Sequence, residues 1–131
     1  MADAVYPLGG TSILSALVDF TSDNFRVVLI DTGTYTYSAA HEHHDDLSGI
    51  VATSANLTTP AVSSGVFDAV DETFSSVSGS TIEAYVLYKN SGASATSDLL
   101  FYVDSASEFP ITPNGGDITI VWNGSGIYSA V

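Results

Sequence analysis

The chain lacks cysteine and contains almost no basic residues. Among its 131 residues there is no cysteine, so neither a disulfide framework nor thiolate chemistry is available. Fifteen acidic residues face only Arg26 and Lys89, and the formal net charge is −13. Because phosphate binding requires clustered Lys and Arg, this balance excludes nucleic acid as a natural partner, and it disfavours an anionic membrane surface. It is typical of a protein kept soluble by self-repulsion or displayed on the outside of a larger assembly.

Long hydrophobic runs are also missing near the N-terminus. The longest early apolar stretch covers residues 13–20, and Ser15 and Asp19 interrupt it. No Lys or Arg precedes this stretch, which is too short and too polar for a signal peptide or a membrane span. We therefore expect no signal peptide, no membrane partner and a protein made and kept in the cytoplasm.

What the chain does contain is a series of short apolar segments separated by turn residues. Strand-like composition covers residues 25–30, 34–37, 50–58, 60–68, 73–77, 81–89, 98–104, 117–122 and 126–130. Turn signals between them include Ser64-Gly65, Ser78-Gly79-Ser80, Pro113-Asn114-Gly115-Gly116 and Asn123-Gly124. Short strands with turns every 8–12 residues or so predict an all-β fold, a single-domain antiparallel β-sandwich or jelly-roll-like structure.

The segment over residues 81–104 is predicted to form the central hairpin. Its first strand has apolar residues on both alternating faces, with Ala84 and Val86 on one and Tyr85 and Leu87 on the other. A strand covered on both sides lies in the interior of a sheet. The polar loop over residues 90–96 separates the two strands.

The N-terminal residues are predicted to be irregular. Pro7 and the Gly9-Gly10 pair are expected to break any regular element. We therefore predict a flexible N-terminal arm over residues 1–12 and a single β-sandwich domain over residues 13–131. At most one short helix is expected, over residues 13–17 with Thr11 or Ser12 as its cap.

The segment from His41 to Asp46 is the strongest candidate for metal chemistry. His41, His43 and His44 lie next to the carboxylates of Glu42, Asp45 and Asp46, and both side-chain types are common transition-metal ligands. The spacing fits no established site, because the zinc-protease helix requires two histidines four residues apart and position 45 is Asp. A solvated acidic loop is the favoured interpretation, so no metal or other cofactor is expected.

Other residues of catalytic type form no recognisable arrangement. Asp68, Asp71 and Glu72 are candidates for a pair of glycosidase carboxylates, but acidic residues are so abundant that such pairs arise by chance. No nucleophile elbow or phosphate loop is present. We therefore expect the protein not to be an enzyme.

The aromatic residues allow two interpretations. Tyr85, Tyr88, Tyr102 and Trp122 could form a sugar-stacking platform on a sandwich. They lie inside predicted strands, however, where packing in the core is the default. Core packing is favoured.

Three segments resemble a known family, and they cover residues 25–42, 65–89 and 110–122. Together they are similar to small structural proteins encoded in the virion gene clusters of tailed bacteriophages. The resemblance spans nearly the whole chain after residue 18, in order and with similar spacing. The N-terminal part, with Pro7 and Gly9-Gly10, departs from the longer helical start of that family.

The resemblance implies a role without catalysis. It suggests a capsid cement or decoration protein on the exterior of the virion, with the major capsid protein as partner and a homo-oligomer, trimer or dimer, as the assembled form. Val5, Tyr6, Pro7 and Leu8 are the expected partner contacts. A tail, fibre or baseplate component of the same virion, a carbohydrate-binding module and a metal-dependent enzyme are the alternatives.

Overall fold

The structure is a computed structural model that describes residues 3–122 and 126–129. Within these residues the chain forms short antiparallel strands, one α-helix, α1 (Pro7–Leu14), and a 3₁₀ turn (His44–Asp46), so the all-β fold class is confirmed. The β-sandwich or jelly-roll arrangement stays a prediction. The strands are β1 (Ala4–Val5), β2 (Phe25–Ile30), β3 (Ile50–Thr53), β4 (Ala61–Ser63), β5 (Val66–Asp68), β6 (Glu72–Phe74), β7 (Ala84–Lys89), β8 (Leu99–Val103), β9 (Ile118–Ile120) and β10 (Tyr128–Ser129).

The main sheet has five strands in the order β1-β8-β7-β2-β3. The predicted hairpin is confirmed, because β7 pairs with β8 through partners such as Val86 and Tyr102. Strand β2 lies on the other side of β7, with Val28 opposite Val86. The hairpin therefore occupies the middle of the sheet, as its two-sided apolar pattern predicts.

Alternating side chains give this sheet two buried faces. The side that we name the phenylalanine face has a core of Phe25, Val27, Leu29, Tyr85, Leu87 and Phe101. The opposite side, named the tyrosine face, has a core of Tyr6, Val28, Ile30, Tyr35, Val86, Tyr88 and Tyr102.

Two smaller sheets contribute to the core of the phenylalanine face. They have the orders β10-β5-β4 and β6-β9. Phe67 of β5, Phe74 of β6 and Ile120 of β9 are buried in that core, and Trp122 joins them. The tyrosine face is covered instead by Tyr6 and by the segment after β2 that carries Tyr35.

The prediction of an irregular N-terminus is wrong for the residues that the structure describes. Strand β1 pairs with β8, and α1 begins at Pro7. Proline is tolerated there because an N–H group at the first position of a helix has no acceptor within the helix. Gly9 is required by packing, because a Cβ there would lie 2.0 Å from the carbonyl oxygen of Leu99. The helix thus lies over residues 7–14 and not over 13–17.

Several strand boundaries also differ from the prediction. The segment over 60–68 forms two strands, since Ser64 and Gly65 turn with positive φ between β4 and β5. Residues 34–37 form no strand. The predicted turn at Asn123-Gly124 and the end of the predicted last strand, Ala130, lie outside the described residues.

Candidate functional site

The histidine loop was the strongest candidate for chemistry, and its side chains have separate partners. The Nδ1 atom of His41 lies 2.7 Å from the hydroxyl oxygen of Tyr35. The Nε2 atom of His43 lies 3.3 Å from a carboxylate oxygen of Asp98, to which the residue is also joined by an isolated β-bridge. These two imidazoles anchor the loop to different parts of the tyrosine face.

The third histidine and the neighbouring carboxylate are also occupied by the fold. The ring of His44 packs against the ring of Tyr88 with 4.7 Å between centroids, and burial lowers the pKa of this imidazole. One carboxylate oxygen of Asp46 accepts the backbone N–H groups of Glu42 and His43, at 2.8 and 3.1 Å. These two hydrogen bonds lower the pKa of Asp46.

Within residues 3–122 and 126–129, this loop does not bring its candidate metal ligands together in one cluster. The structure shows no group of three or more His, Cys, Asp or Glu side chains there that could hold a metal ion. His41, His43 and His44 instead hold the segment in its conformation. The candidate metal ligands therefore have structural roles in the described fold.

The candidate glycosidase carboxylates are also engaged locally. Asp68 accepts the N–H of Ala69 at 2.9 Å, and Asp71 accepts the N–H of Trp122 at 3.0 Å. Glu72 lies half-buried in β6, where burial raises the pKa of its carboxyl group.

The four predicted partner contacts fall into two groups. Val5 and Leu8 are exposed by 38% and 39%, and Pro7 is exposed as well. Tyr6 is completely buried, and its hydroxyl lies 2.8 Å from that of Tyr35, so it offers no exposed surface to a partner in this fold. Alternation along the chain explains the split, because Tyr6 turns into the tyrosine face while its neighbour Val5 turns outward.

Two further leucines in this region are more exposed than Val5 and Leu8. Leu14, the last residue of α1, is 91% exposed, and Leu17 in the following loop is 61% exposed. With Leu8 they form a set that we name the N-terminal leucines. Clusters of large exposed apolar side chains often mark protein–protein interaction sites. The prediction stopped at residue 8, although the apolar residues over 13–17 were visible in the sequence.

One concave feature of chemical interest lies at the tyrosine face. It is a cavity of about 370 Å³ whose lining includes Thr32, Tyr35, Tyr37, Glu83, Tyr102 and Asp104. Its walls thus combine aromatic rings with carboxylates. The spacing of residues in the sequence does not predict this cavity, because its lining comes from three separate chain segments.

The aromatic residues weighed as a sugar platform are core residues. Trp122, Tyr85, Tyr88 and Tyr102 are exposed by 6% or less. The indole N–H of Trp122 donates to the carbonyl of Val70 at 3.0 Å. Their predicted core packing is confirmed, although Tyr102 also reaches the cavity.

Within the described part of the chain, no helix has the length and apolar character that crossing a bilayer requires. No protein-family model and no curated protein sequence matches the chain. The resemblance to phage structural proteins therefore stays a prediction.

Proposed function

We propose that this protein is a non-enzymatic virion structural protein, a cement or decoration protein on the outer surface of a tailed-phage capsid. There it bridges and stabilises subunits of the major capsid protein. The observation that carries the proposal is the resemblance over residues 25–42, 65–89 and 110–122, which runs in order through nearly the whole chain after residue 18.

The charge supports a position on the outside of the particle. A net charge of −13 repels the packaged genome, so an acidic protein is better accommodated on the exterior. The two basic side chains do not offset this repulsion, because both are engaged in contacts within the chain. Arg26 donates from Nε to Asn56, and Lys89 donates to the carbonyl of Leu17 and lies 3.4 Å from Asp23.

The N-terminal leucines supply a contact surface for such a role. Leu14 and Leu17 expose hydrocarbon that a docking partner would remove from water, at about 25 cal/mol per Å² of buried apolar surface. We place the contact with the major capsid protein on these residues, together with Val5, Pro7 and Leu8. Repetition around a symmetry axis of the capsid would make the bound form a trimer or dimer.

Reconstitution on particles tests the role directly. Particles lacking the protein are heated with and without added protein, and the temperature of genome release is measured by a dye that fluoresces on DNA. Addition is expected to raise that temperature until the binding sites saturate. Equal release temperatures with and without saturating protein would contradict the stabilising role.

A matched pair of variants tests the contact surface. Leu14→Ser removes the most exposed leucine and is expected to weaken particle binding without changing the thermal unfolding of the free chain. Val70→Ser changes a valine that is 54% exposed outside the N-terminal segment, so it serves as the control. Equal binding by both variants would remove the leucines from the interface.

Gold labelling of the protein in electron micrographs tests its location on the particle. Label on the tails and none on the heads would select the tail, fibre or baseplate alternative.

A further inference from the structure

The cavity at the tyrosine face is lined by both aromatic rings and carboxylates. The rings of Tyr37 and Tyr102 lie 5.4 Å apart between centroids, and Tyr35 lies 6.4 Å from Tyr102. Glu83 enters from the segment before β7 and accepts the N–H of Thr32 at 3.2 Å through one carboxylate oxygen. That bond fixes the carboxylate, and its other oxygen has no hydrogen-bond partner in the described chain.

The hydroxyl of Tyr102 is the most informative group of this cavity. The residue as a whole is only 2% exposed, but the described residues contain no buried side-chain polar atom without a partner, so its hydroxyl, which bonds to no described residue, is reached from the cavity. Burial, together with the negative charges of Asp104 and Glu83, raises the pKa of Tyr102 to about 12, so the phenol is neutral at physiological pH. A phenol hydroxyl that is reached from a cavity and has no partner in the described chain is an open hydrogen-bonding position.

The chemistry of the lining selects a cationic donor with a flat face. A carboxylate accepts hydrogen bonds, a neutral phenol oxygen can accept another, and tyrosine rings attract cations through their faces. A guanidinium group has five N–H donors and no acceptor, and it stacks on aromatic rings better than a compact ammonium group does. We propose that this cavity binds the guanidinium group of an arginine side chain presented by a partner protein.

The arginine comes from a different protein, not from a second copy. Arg26 is the only arginine in the chain, and it is half-buried in β2 with its Nε donating to Asn56 at 2.9 Å. The net charge of −13 would oppose self-association through this site and would attract a basic partner. The inference goes beyond the proposed function, since it requires only a partner that presents an arginine side chain and not a capsid.

Binding of a small arginine probe to the isolated chain tests the inference. N-acetyl-arginine amide is titrated into isotope-labelled protein while amide chemical shifts are recorded. We expect saturable shifts centred on Thr32, Tyr37, Glu83 and Tyr102, and weaker binding as salt is added. N-acetyl-citrulline amide, which has nearly the same shape without the charge, and N-acetyl-lysine amide are both expected to bind more weakly.

Two conservative variants and one matched control sharpen the test. Glu83→Gln keeps an oxygen for the Thr32 N–H and removes the charge, and Tyr102→Phe removes only the hydroxyl. Glu83→Gln is expected to weaken arginine binding by about three- to tenfold, and Tyr102→Phe by a smaller factor. Glu72→Gln makes the same charge change in β6, outside the lining of this cavity, and should leave the affinity within about twofold.

Several results would overturn the inference. Absence of saturable shifts with the arginine probe would do so, as would equal binding of the arginine, lysine and citrulline probes. Equal weakening by Glu83→Gln and Glu72→Gln would indicate general charge attraction only. Shifts at the same residues with methyl glucoside, and none with the arginine probe, would make the cavity a carbohydrate site. None of these experiments uses virus particles, so failure here leaves the proposed capsid role standing, and failure of that role leaves this test unaffected.

Discussion

The phenylalanine face and the tyrosine face belong to the same strands but are closed in different ways. On the phenylalanine face, Phe67, Phe74 and Ile120 from the two smaller sheets complete a core made mostly of hydrocarbon. Phe20 and Phe25 stack there with 5.0 Å between centroids. Such a core gains its stability from the removal of apolar surface from water.

The tyrosine face is closed by loops and hydrogen bonds. A chain of contacts runs from the Tyr6 hydroxyl to the Tyr35 hydroxyl and on to His41 at the surface. Burial raises the pKa of Tyr6 and of Tyr35, so both phenols stay protonated and can take part in these bonds. The cavity lies beside this network, and Tyr35 belongs to both.

The difference separates two tasks within one small domain. The phenylalanine face is the structural core, and most of its side chains are buried. The hydrogen bonds of the tyrosine face fix its loops in place, and the face still presents the polar groups that line its cavity. Substitutions on the two faces should therefore differ in the size of their effect and in its dependence on pH.

Truncation of the indole on the phenylalanine face should have the largest effect. Trp122→Ala removes a side chain that is 6% exposed and is expected to lower the free energy of unfolding by about 3–5 kcal/mol. Val121→Ala, at the neighbouring residue that is 57% exposed, should change it by less than about 0.5 kcal/mol. Urea denaturation measures both values. A Trp122→Ala loss as small as that of Val121→Ala would mean that the indole is not part of the core.

Alanine substitutions at the glycines of α1 should give the next largest change in the free energy of unfolding. They test whether the N-terminal segment is packed against β8. Gly9→Ala would place a Cβ against the Leu99 carbonyl, so we expect a loss of about 1–3 kcal/mol. In Gly10→Ala the new Cβ meets only a Val5 methyl at 3.5 Å, and the helical preference of alanine should stabilise the chain by up to about 1 kcal/mol. Thermal unfolding of the two variants gives the signs. A flexible arm over residues 1–12 would make both changes nearly silent.

Removal of a single hydroxyl should show that hydrogen bonds contribute to the stability of the tyrosine face, unlike that of a purely apolar core. Tyr6→Phe deletes the bond to Tyr35 and is expected to cost about 0.5–1.5 kcal/mol, because the buried Tyr35 hydroxyl then keeps only His41. Tyr37→Phe is the control, since its hydroxyl makes a long 3.3 Å bond to Val5 at the edge of the fold. Its cost should stay below about 0.5 kcal/mol. Equal costs in chemical denaturation would argue against a specific Tyr6–Tyr35 contact.

The sequence predicts those parts of the fold that local patterns determine. The hairpin of β7 and β8 follows from apolar residues on both alternating faces, and so does the burial of Tyr85, Tyr88 and Trp122. The loop positions of Gly79 and Gly115 are also predicted, and both adopt positive φ.

The parts that depend on distant contacts are not predictable in this way. Helix α1 contains Gly9 and Gly10, which disfavour helices, and it forms where Gly9 lies against Leu99 of another element. The burial of Tyr6 depends on Tyr35, from a segment predicted to be an edge strand. The cavity requires Tyr37, Glu83 and Tyr102 to meet from three segments, and no spacing in the chain encodes that meeting.

The pH dependence of stability should give the smallest effect, and it belongs to the tyrosine face. Burial against Tyr88 lowers the folded-state pKa of His44, whereas the unfolded chain has an ordinary histidine pKa near about 6.5. The opposing attraction of Asp45 is weaker than the effect of burial. Below about 6.5 the unfolded chain therefore binds more protons than the folded one, and the free energy of unfolding falls as pH drops through this window toward the folded pKa.

Substitution of this imidazole tests the assignment. The urea midpoint of the wild type is expected to decrease between pH 7.5 and pH 5.5, and His44→Gln should show a smaller decrease because the titrating group is gone. The same pH slope in both proteins would place the dependence on other groups. Because His44 lies on the tyrosine face, Trp122→Ala should lower stability at both pH values without altering the slope. The two substitutions thus separate a core that is insensitive to protons from a face that responds to them.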